Sequence, residues 1–241
     1  MGQYQKIAEL PAERIPRHVA IILDGNGRWA REHNVSRSKG HLTGAENVET
    51  ISDALIDMGV SYLTVYAFST ENWKRSTEEV SYLMGLLKRY LIKNKKDAIR
   101  RQIQIRVLGD KEGLSQDLQS LIEEVERETR HLNSFHLQFA INYGGRDEIT
   151  RAVRKIVQQG LDPQSITHRT IDGFLDTVGI PDPDLLIRTS GELRISNFLL
   201  WQLAYSEFYF SDKYWPDFTP EDLEEAILDY ARRERRFGGR N

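Results

Sequence analysis

The residues with the clearest chemical potential lie together in His18-Val19-Ala20-Ile21-Ile22-Leu23-Asp24-Gly25-Asn26-Gly27-Arg28-Trp29. Val19 to Leu23 is a continuous apolar run that reads as a strand covered on both faces. Asp24 follows at its carboxyl end, the edge where ligands bind in open α/β sheets. Gly25 and Gly27 allow close backbone approach, and a turn or helix start after them offers free N–H groups to an anion. Arg28 adds a forked cation suited to phosphate. A carboxylate beside a phosphate site makes chemical sense when a divalent cation bridges the two. Mg²⁺ is held in this way by one or two carboxylates plus phosphate oxygens.

Three other readings compete. Gly25-Asn26-Gly27-Arg28-Trp29-Ala30 fits the dinucleotide fingerprint G-x-G-x-x-A after a strand. Trp29 is bulky where that motif packs tightly, and Glu46 and Glu49 fall in a helical pattern, not at a strand end. Asp-Gly and Asn-Gly also form turns for purely structural reasons. A phosphatase using Asp24 as nucleophile wants a second carboxylate two residues on, where Asn26 stands.

Four more segments carry charge, hydroxyls or aromatic rings: Arg37-Ser38-Lys39-Gly40-His41, Phe68 to Arg75, Ile187 to Asn197, and Ser206-Glu207. Charged loop residues are most often simply solvated. Arg188, Arg194 and Ser196 nevertheless offer two guanidiniums and a hydroxyl from one turn, which suits a second diphosphate. Trp73 either covers a ligand or packs under its own loop. His41 is a phosphate donor or a polar residue at a helix entry. His33, His131 and His168 sit in polar stretches and read as surface.

The elements that must position these groups alternate. Strands are expected at 19–23, 61–67, 103–108, 135–141, 184–188 and 205–210. Thr43 with Glu46 forms a capping box for a helix ending at Met58 before Gly59, and Ser76 with Glu79 forms a second. Thr219-Pro220 starts another helix, and 114–130 and 146–159 complete the pattern. This order predicts a single α/β domain with a mainly parallel six-stranded sheet flanked by helices.

Composition narrows the class. The 241 residues suffice for one such domain, and a net charge of −3 argues against a nucleic-acid surface. There is no cysteine, hence no disulfide framework or thiolate metal site. No apolar run approaches a membrane span, and Met1 to Pro16 is polar without a signal-peptide core. A cytoplasmic protein is expected.

In its motifs the chain resembles the cis-prenyltransferases, in particular the bacterial undecaprenyl diphosphate synthases. The carriers are HVAIILDGNGRWA, Gly40-His41, YAFSTENWKR, NYGGR at Asn142 to Arg146, DLLIRTSGELRISNFLLWQ, and RERRFGG, in order from His18 to Gly239. The trans-prenyl synthases carry DDxxD motifs, and this chain has no Asp-Asp pair. The resemblance implies a catalytic domain over 18–241 after an N-terminal extension, 1–17. It implies a Mg²⁺-dependent homodimer extending an allylic diphosphate, usually farnesyl diphosphate, by repeated cis condensation with isopentenyl diphosphate.

Residue by residue, the resemblance makes Asp24 the catalytic, Mg²⁺-binding carboxylate and Glu207 a second metal carboxylate. Gly25, Asn26, Gly27, Arg28, Arg37 and His41 hold the allylic diphosphate, with Trp29 beside them. Arg188, Arg194, Ile195 and Ser196 belong to the isopentenyl diphosphate site. Ser69, Thr70, Glu71, Asn72, Trp73 and Arg75 form a loop closing over the substrates, with Asn72 assigned to proton removal. A neutral amide is a poor base, so Asn72 orienting a water or a phosphate oxygen is the alternative. Arg236 and Gly238 reach a phosphate site, within the chain or across the dimer.

The growing chain needs an apolar tunnel. Tyr82, Leu83, Met84, Leu86, Leu87, Tyr90 and Leu91 make a stripe that serves as core or as tunnel wall. Phe135, Leu137 and Phe139 are candidates for its floor, with Phe135 as the stop. One departure is Leu193, where many members have histidine. Undecaprenyl diphosphate, the lipid carrier precursor for cell-wall synthesis, is the expected product. A short- or medium-chain synthase and a non-catalytic subunit of a heteromeric enzyme are the alternatives. A product so apolar implies at most peripheral membrane association.

Overall fold

The computed structural model describes residues 4–234, so Arg236 and Gly238 lie outside the described residues. Six strands appear where apolar runs predict them: β1 His18–Ile22, β2 Tyr62–Ser69, β3 Ile103–Leu108, β4 Phe135–Tyr143, β5 Leu185–Arg188 and β6 Glu207–Phe210. They form one sheet in the order β3-β4-β2-β1-β5-β6, and every neighbouring pair is parallel. The sheet is thus wholly rather than mainly parallel. From β1 the chain lays β2, the outermost β3 and then β4 on one side, and later resumes at β5 on the other side. The carboxyl ends of β1 and β5 flank this reversal, where a crevice forms outside the sheet.

The helices are α1 Gln5–Ala8, α2 Asn26–Glu32, α3 Arg37–Asp57, α4 Thr77–Arg100, α5 Gln116–Thr129, α6 Gly145–Gln158, α7 His168–Asp172 and α8 Pro220–Arg232. On one sheet face Val19, Ile21, Val65 and Phe139 join apolar residues of α3, α4, α5 and α8 in the larger core. On the other, Ala20, Ile22 and Leu186 pack against Phe198, Leu199 and Leu203. The N-terminal segment belongs to the packed body. Ile7 is buried in the larger core, and Arg14 Nη1 donates to the carbonyls of Ala231 and Arg233 at 3.1 and 3.0 Å.

Two helix starts differ from expectation. The first long helix, α3, begins at Arg37, not Thr43, with Ser36 Oγ accepting from Lys39 N at 3.2 Å. Its first turn is polar and contains Gly40, so no apolar period marks it. Packing explains the glycine, since a Cβ there would lie 2.3 Å from Asn26 O of α2. At α4, Ser76 does cap Glu79 N, but the Glu79 carboxylate turns to cations on other elements instead of closing the box.

One irregularity serves the crevice. The β2–β4 pairing steps from Tyr66↔Ala140 to Phe68↔Ile141, leaving Ala67 outside the register. Such a bulge re-aims side chains at a sheet edge. Ala67 is exposed into the space above the strands while Phe68 next to it is buried.

Candidate active site

Asp24 and Arg188 meet across the β1/β5 reversal. Ile22 and Arg188 are register partners, so the residues ending the two strands project from the same edge. Arg188 Nη2 donates to Asp24 Oδ2 at 2.8 Å, and Arg28 Nη2 lies 3.2 Å from Oδ1. Burial pushes the Asp24 carboxyl up, but the hydrogen bond and charge of Arg188, with the charge of Arg28, outweigh it. The group therefore stays below the ordinary carboxylate range. Arg188 is only 3% exposed. Its Nη1 also donates to Ser196 Oγ at 2.7 Å and to the Arg194 carbonyl, which folds the following loop back over the strand end.

Gly25 precedes α2 at φ +102°, a conformation that favours glycine. A Cβ there would also lie 2.1 Å from Ser190 Oγ. Arg28 Nη1 reaches Glu192 Oε1 at 3.1 Å, and the Arg194 guanidinium, 62% exposed, pairs with the other oxygen of Glu192. Both arginines are therefore parked on a surface carboxylate near Asp24.

A second charged knot sits on the α3/α4 side. The Glu79 carboxylate accepts from Arg75 Nη1 at 2.9 Å and pairs with Arg37 Nη1 at 3.0 Å and His41 Nε2 at 3.2 Å. One nearly buried anion so gathers three cationic or titratable groups. Burial lowers the His41 pKa more than Glu79 raises it, and the Arg75 and Arg37 charges lower it further.

Asp24, Arg28, Arg37, His41, Arg75, Arg188 and Arg194 line a cavity of about 660 Å³ with Arg31, Tyr66, Ala67 and Leu83, while Glu79 stands behind its wall. Six arginines face it (28, 31, 37, 75, 188 and 194) against the carboxylates of Asp24 and Glu71. Such an excess of forked cations fits multiply charged phosphates. A second, apolar cavity of about 90 Å³ adjoins it between α3, α4 and the sheet, sharing Leu23, Asn26, His41, Ala67 and Leu83. Leu86, Leu87, Tyr90 and Phe139 line its deeper part, where the Tyr90 and Phe139 rings meet edge-on at 5.2 Å.

The family model described as putative undecaprenyl diphosphate synthase matches residues 22–238. The chain belongs to this family of cis-prenyltransferases. An isoprenyl transferase of Agrobacterium fabrum is 51% identical over 228 residues, covering 93% of this chain and 92% of that protein. One of Aquifex aeolicus is 48% identical over 225 residues, covering 93% and 96%. Among solved structures, lavandulyl diphosphate synthase from Lavandula x intermedia in complex with dimethylallyl diphosphate matches with a TM-score of 0.90. It is 40% identical and covers 94% of this chain and 99% of that one. A probable undecaprenyl diphosphate synthase from Campylobacter jejuni matches at 0.78 and 31% identity, covering 92% and 98%. The protein is thus an enzyme that transfers prenyl groups.

In this transferase Asp24, Gly25, Asn26, Gly27, Arg28, Arg37, His41, Ser69, Glu71, Asn72, Arg75, Arg188, Arg194 and Ser196 face one cavity. Five other candidates lie off its wall. Trp29 points away, stacking on His33 at 4.3 Å and donating from Nε1 to Asp217 Oδ1 at 2.7 Å. Thr70 and Trp73 lie in the 70–74 turn but off the cavity wall, and Trp73 Nε1 donates to Asn142 Oδ1 at 2.7 Å. Ile195 packs on the smaller core. Glu207 begins β6 opposite Leu185, whereas Asp24 follows the far end of the sheet, and its Oε2 pairs with Arg233 Nη1 at 2.8 Å. Within one chain Glu207 and Asp24 do not converge. Of the phenylalanines expected at the tunnel floor, Phe139 and not Phe135 reaches the apolar cavity, because Phe135 opens β4 at the distant edge. Arg31 and Tyr66 also line the cavity and Glu79 holds Arg37, His41 and Arg75 beside it, roles that no sequence motif assigns to them. Arg31 follows Arg28 by three residues on α2, a spacing that signals a shared face.

No described helix is long and apolar enough to cross a membrane. Among the described residues no three acidic or histidine side chains cluster as a metal site. A Mg²⁺ ion fits Asp24 only in a shell that substrate phosphates complete. The buried polar atoms left without a partner near it, Asn26 Oδ1, Ser190 Oγ and Arg188 Nε, suit such a substrate-completed site.

Proposed function

We propose that this transferase condenses isopentenyl diphosphate repeatedly onto an allylic diphosphate. Farnesyl diphosphate is the primer, Mg²⁺ the metal and undecaprenyl diphosphate, the lipid carrier precursor for cell-wall synthesis, the product. One observation carries the reading: the arginine-lined cavity adjoins, across the shared wall of Leu23, Asn26, His41, Ala67 and Leu83, a cavity that is almost wholly apolar. A ligand with a doubly phosphorylated head and a hydrocarbon tail matches that change of wall chemistry.

The chemistry follows from the wall. The allylic C–O bond breaks and the diphosphate leaves with the electron pair. Arg28, Arg37 and Arg75 stabilise the charge that develops on it. Bound at Asp24, Mg²⁺ would supply Lewis-acid neutralisation of that leaving group. The isopentenyl double bond then attacks the allylic carbon, forming the C–C bond, and a proton is lost. Arg188, Arg194 and Ser196 hold the isopentenyl diphosphate beside it. Asn72 Oδ1 already accepts from Ser69 N at 3.1 Å. The amide therefore serves better to orient than to take the proton, and a phosphate oxygen is the stronger base. The 70–74 cover excludes water that would capture the cation.

Val153 and Val157, one turn apart and exposed on α6, offer a face for a second copy, which supports a homodimer. An apolar product supports peripheral contact with a bilayer at release. A shorter product is the second reading. It is favoured by the Tyr90–Phe139 closure and by the small cavity, since a cavity of about 150 Å³ is what a single benzene occupies.

The test is incubation with farnesyl diphosphate, labelled isopentenyl diphosphate and Mg²⁺, followed by chain-length analysis. A ladder ending at undecaprenyl length, abolished by chelator, supports the main reading. A ladder stopping earlier supports the second. No incorporation with farnesyl, geranyl or dimethylallyl primers contradicts both.

A further inference from the structure

The NYGGR turn, Asn142 to Arg146, has no role in the chemistry above, yet it touches both segments that handle substrate. On one side it holds the cover. Trp73 Nε1 donates to Asn142 Oδ1 at 2.7 Å, and the Trp73 ring packs edge-on against Phe68 at 5.1 Å. Asn142 is itself fixed at φ +47°, its Nδ2 donating to Asp110 O at 2.8 Å. On the other side it holds the diphosphate loop. Gly145 N donates to Asn197 O at 2.7 Å, and Arg146 N donates to Asn197 Oδ1 at 3.0 Å. Asn197 follows Ser196, whose hydroxyl Arg188 grips.

The two sides then meet. Asn197 Nδ2 donates to Glu71 Oε1 of the cover at 3.0 Å. Burial pushes the Glu71 carboxyl up, but hydrogen bonds from its own backbone N–H, Asn197, Ser69 and Thr70 bring it below its usual range, so it accepts as an anion. Gly144 fills the gap behind this contact. A Cβ there would lie 2.7 Å from Asn197 Nδ2 and 2.8 Å from Thr70 Oγ1.

We propose that the Asn142–Arg146 turn is a positioning element tying the 70–74 cover to the 194–197 diphosphate loop, so that a diphosphate held by the loop fixes Asn72 over the reacting centre. The inference rests on the functional reading above. Asn142 and Asn197 are positioning residues, since they act through Trp73 and Glu71. The physical link is short: the loop orders Asn197, Asn197 holds Glu71, and Glu71 lies next to Asn72 in the same turn.

Asn197→Asp tests it. Aspartate tolerates the left-handed φ of +64° and keeps the acceptor for Arg146 N, but sets a carboxylate against Glu71. The experiment follows hydrogen exchange of residues 69–75 in the full chain, with and without inorganic diphosphate and Mg²⁺. Calorimetry on the same samples records binding. In the parent, binding should slow exchange of this segment by about tenfold, the scale of one hydrogen bond to a charged group. Asn197→Asp should still bind diphosphate but lose that protection, and should raise KM for isopentenyl diphosphate. Adding Glu71→Gln should restore protection, which a merely structural defect would not allow. If Asn197→Asp does not fold, Trp73→Phe cuts the other tie and should weaken protection in the same assay. Protection unchanged in the variants, or absent in a parent that binds diphosphate, overturns the coupling alone. A parent that binds no diphosphate overturns the coupling together with the functional reading.

Discussion

The two halves of the crevice are built by opposite means. The charged half is assembled from strand ends, helix starts and loops far apart in sequence, with Asp24, Arg37, Arg75 and Arg188 converging at one sheet edge. The apolar half is cut from helix and strand faces that also form the core, where Leu87 serves as both cavity wall and core residue. Polar groups must be placed one by one, because each needs a partner when buried. An apolar wall needs only surface that is left uncovered. Head-group chemistry is therefore fixed by single residues, and tail capacity by how two faces meet.

Asp24→Ala should break the charged half with the largest effect. Turnover should fall by about 10²–10³ or more, the scale of losing one preorganised electrostatic contact. Diphosphate binding and thermal unfolding of the variant would separate that loss from the effect of leaving Arg188 buried and unpaired.

A pair of phenylalanines sharpens the apolar half. Phe135→Ala should destabilise by about 3–5 kcal/mol with unchanged product lengths, because it empties core only. Phe139→Ala should instead shift the product ladder upward. Equal ladders from both would mean that Phe139 is core alone.

Acid unfolding gives a contrast from the far edge of the sheet. Burial lowers the His18 pKa to about 4, against smaller raising effects from the Pro181 carbonyl and Asp184. The folded ring is neutral, whereas the unfolded ring takes a proton near pH 6.5. Stability is thus full above pH 6.5 and falls as pH drops toward 4, by about 3 kcal/mol for a shift of roughly two and a half units. Urea titrations at pH 7 and pH 5 check this, and a flat profile would contradict it.

The smallest effect is expected at Arg194, which is exposed and, among the described residues, forms its ion pair with Glu192. Arg194→Ala should raise KM for isopentenyl diphosphate by about tenfold, a charged hydrogen bond's worth, with no change in melting temperature.

The sequence made the strands legible because each is an apolar run bounded by turns, and Asp24 and Arg188 followed as strand-end residues. Other features depended on contacts that no local pattern encodes. The start of α3 is polar, and only the approach of α2 explains Gly40 there. Alternation along β4 places Phe135, Leu137 and Phe139 on one face but says nothing of depth, so the residue reaching the cavity depended on where α4 crosses. Only the family resemblance, and no local pattern, points to Glu207 as a metal carboxylate. In a parallel sheet the first residue of β6 lies at the edge opposite Asp24, and the direction of that strand separates the two within a chain. Glu79 read as a cap because its spacing from Ser76 is right, while its carboxylate had stronger partners in space.

The claim that head and tail of one substrate share this crevice is tested most directly by a calorimetric affinity series. Inorganic, dimethylallyl, geranyl and farnesyl diphosphate would be titrated with Mg²⁺. Each added isoprene unit should tighten binding by roughly tenfold, about the value of burying one aliphatic side chain, with an increasingly negative heat-capacity change. Equal affinity and heat capacity across the series would place the tail in solvent and contradict the account.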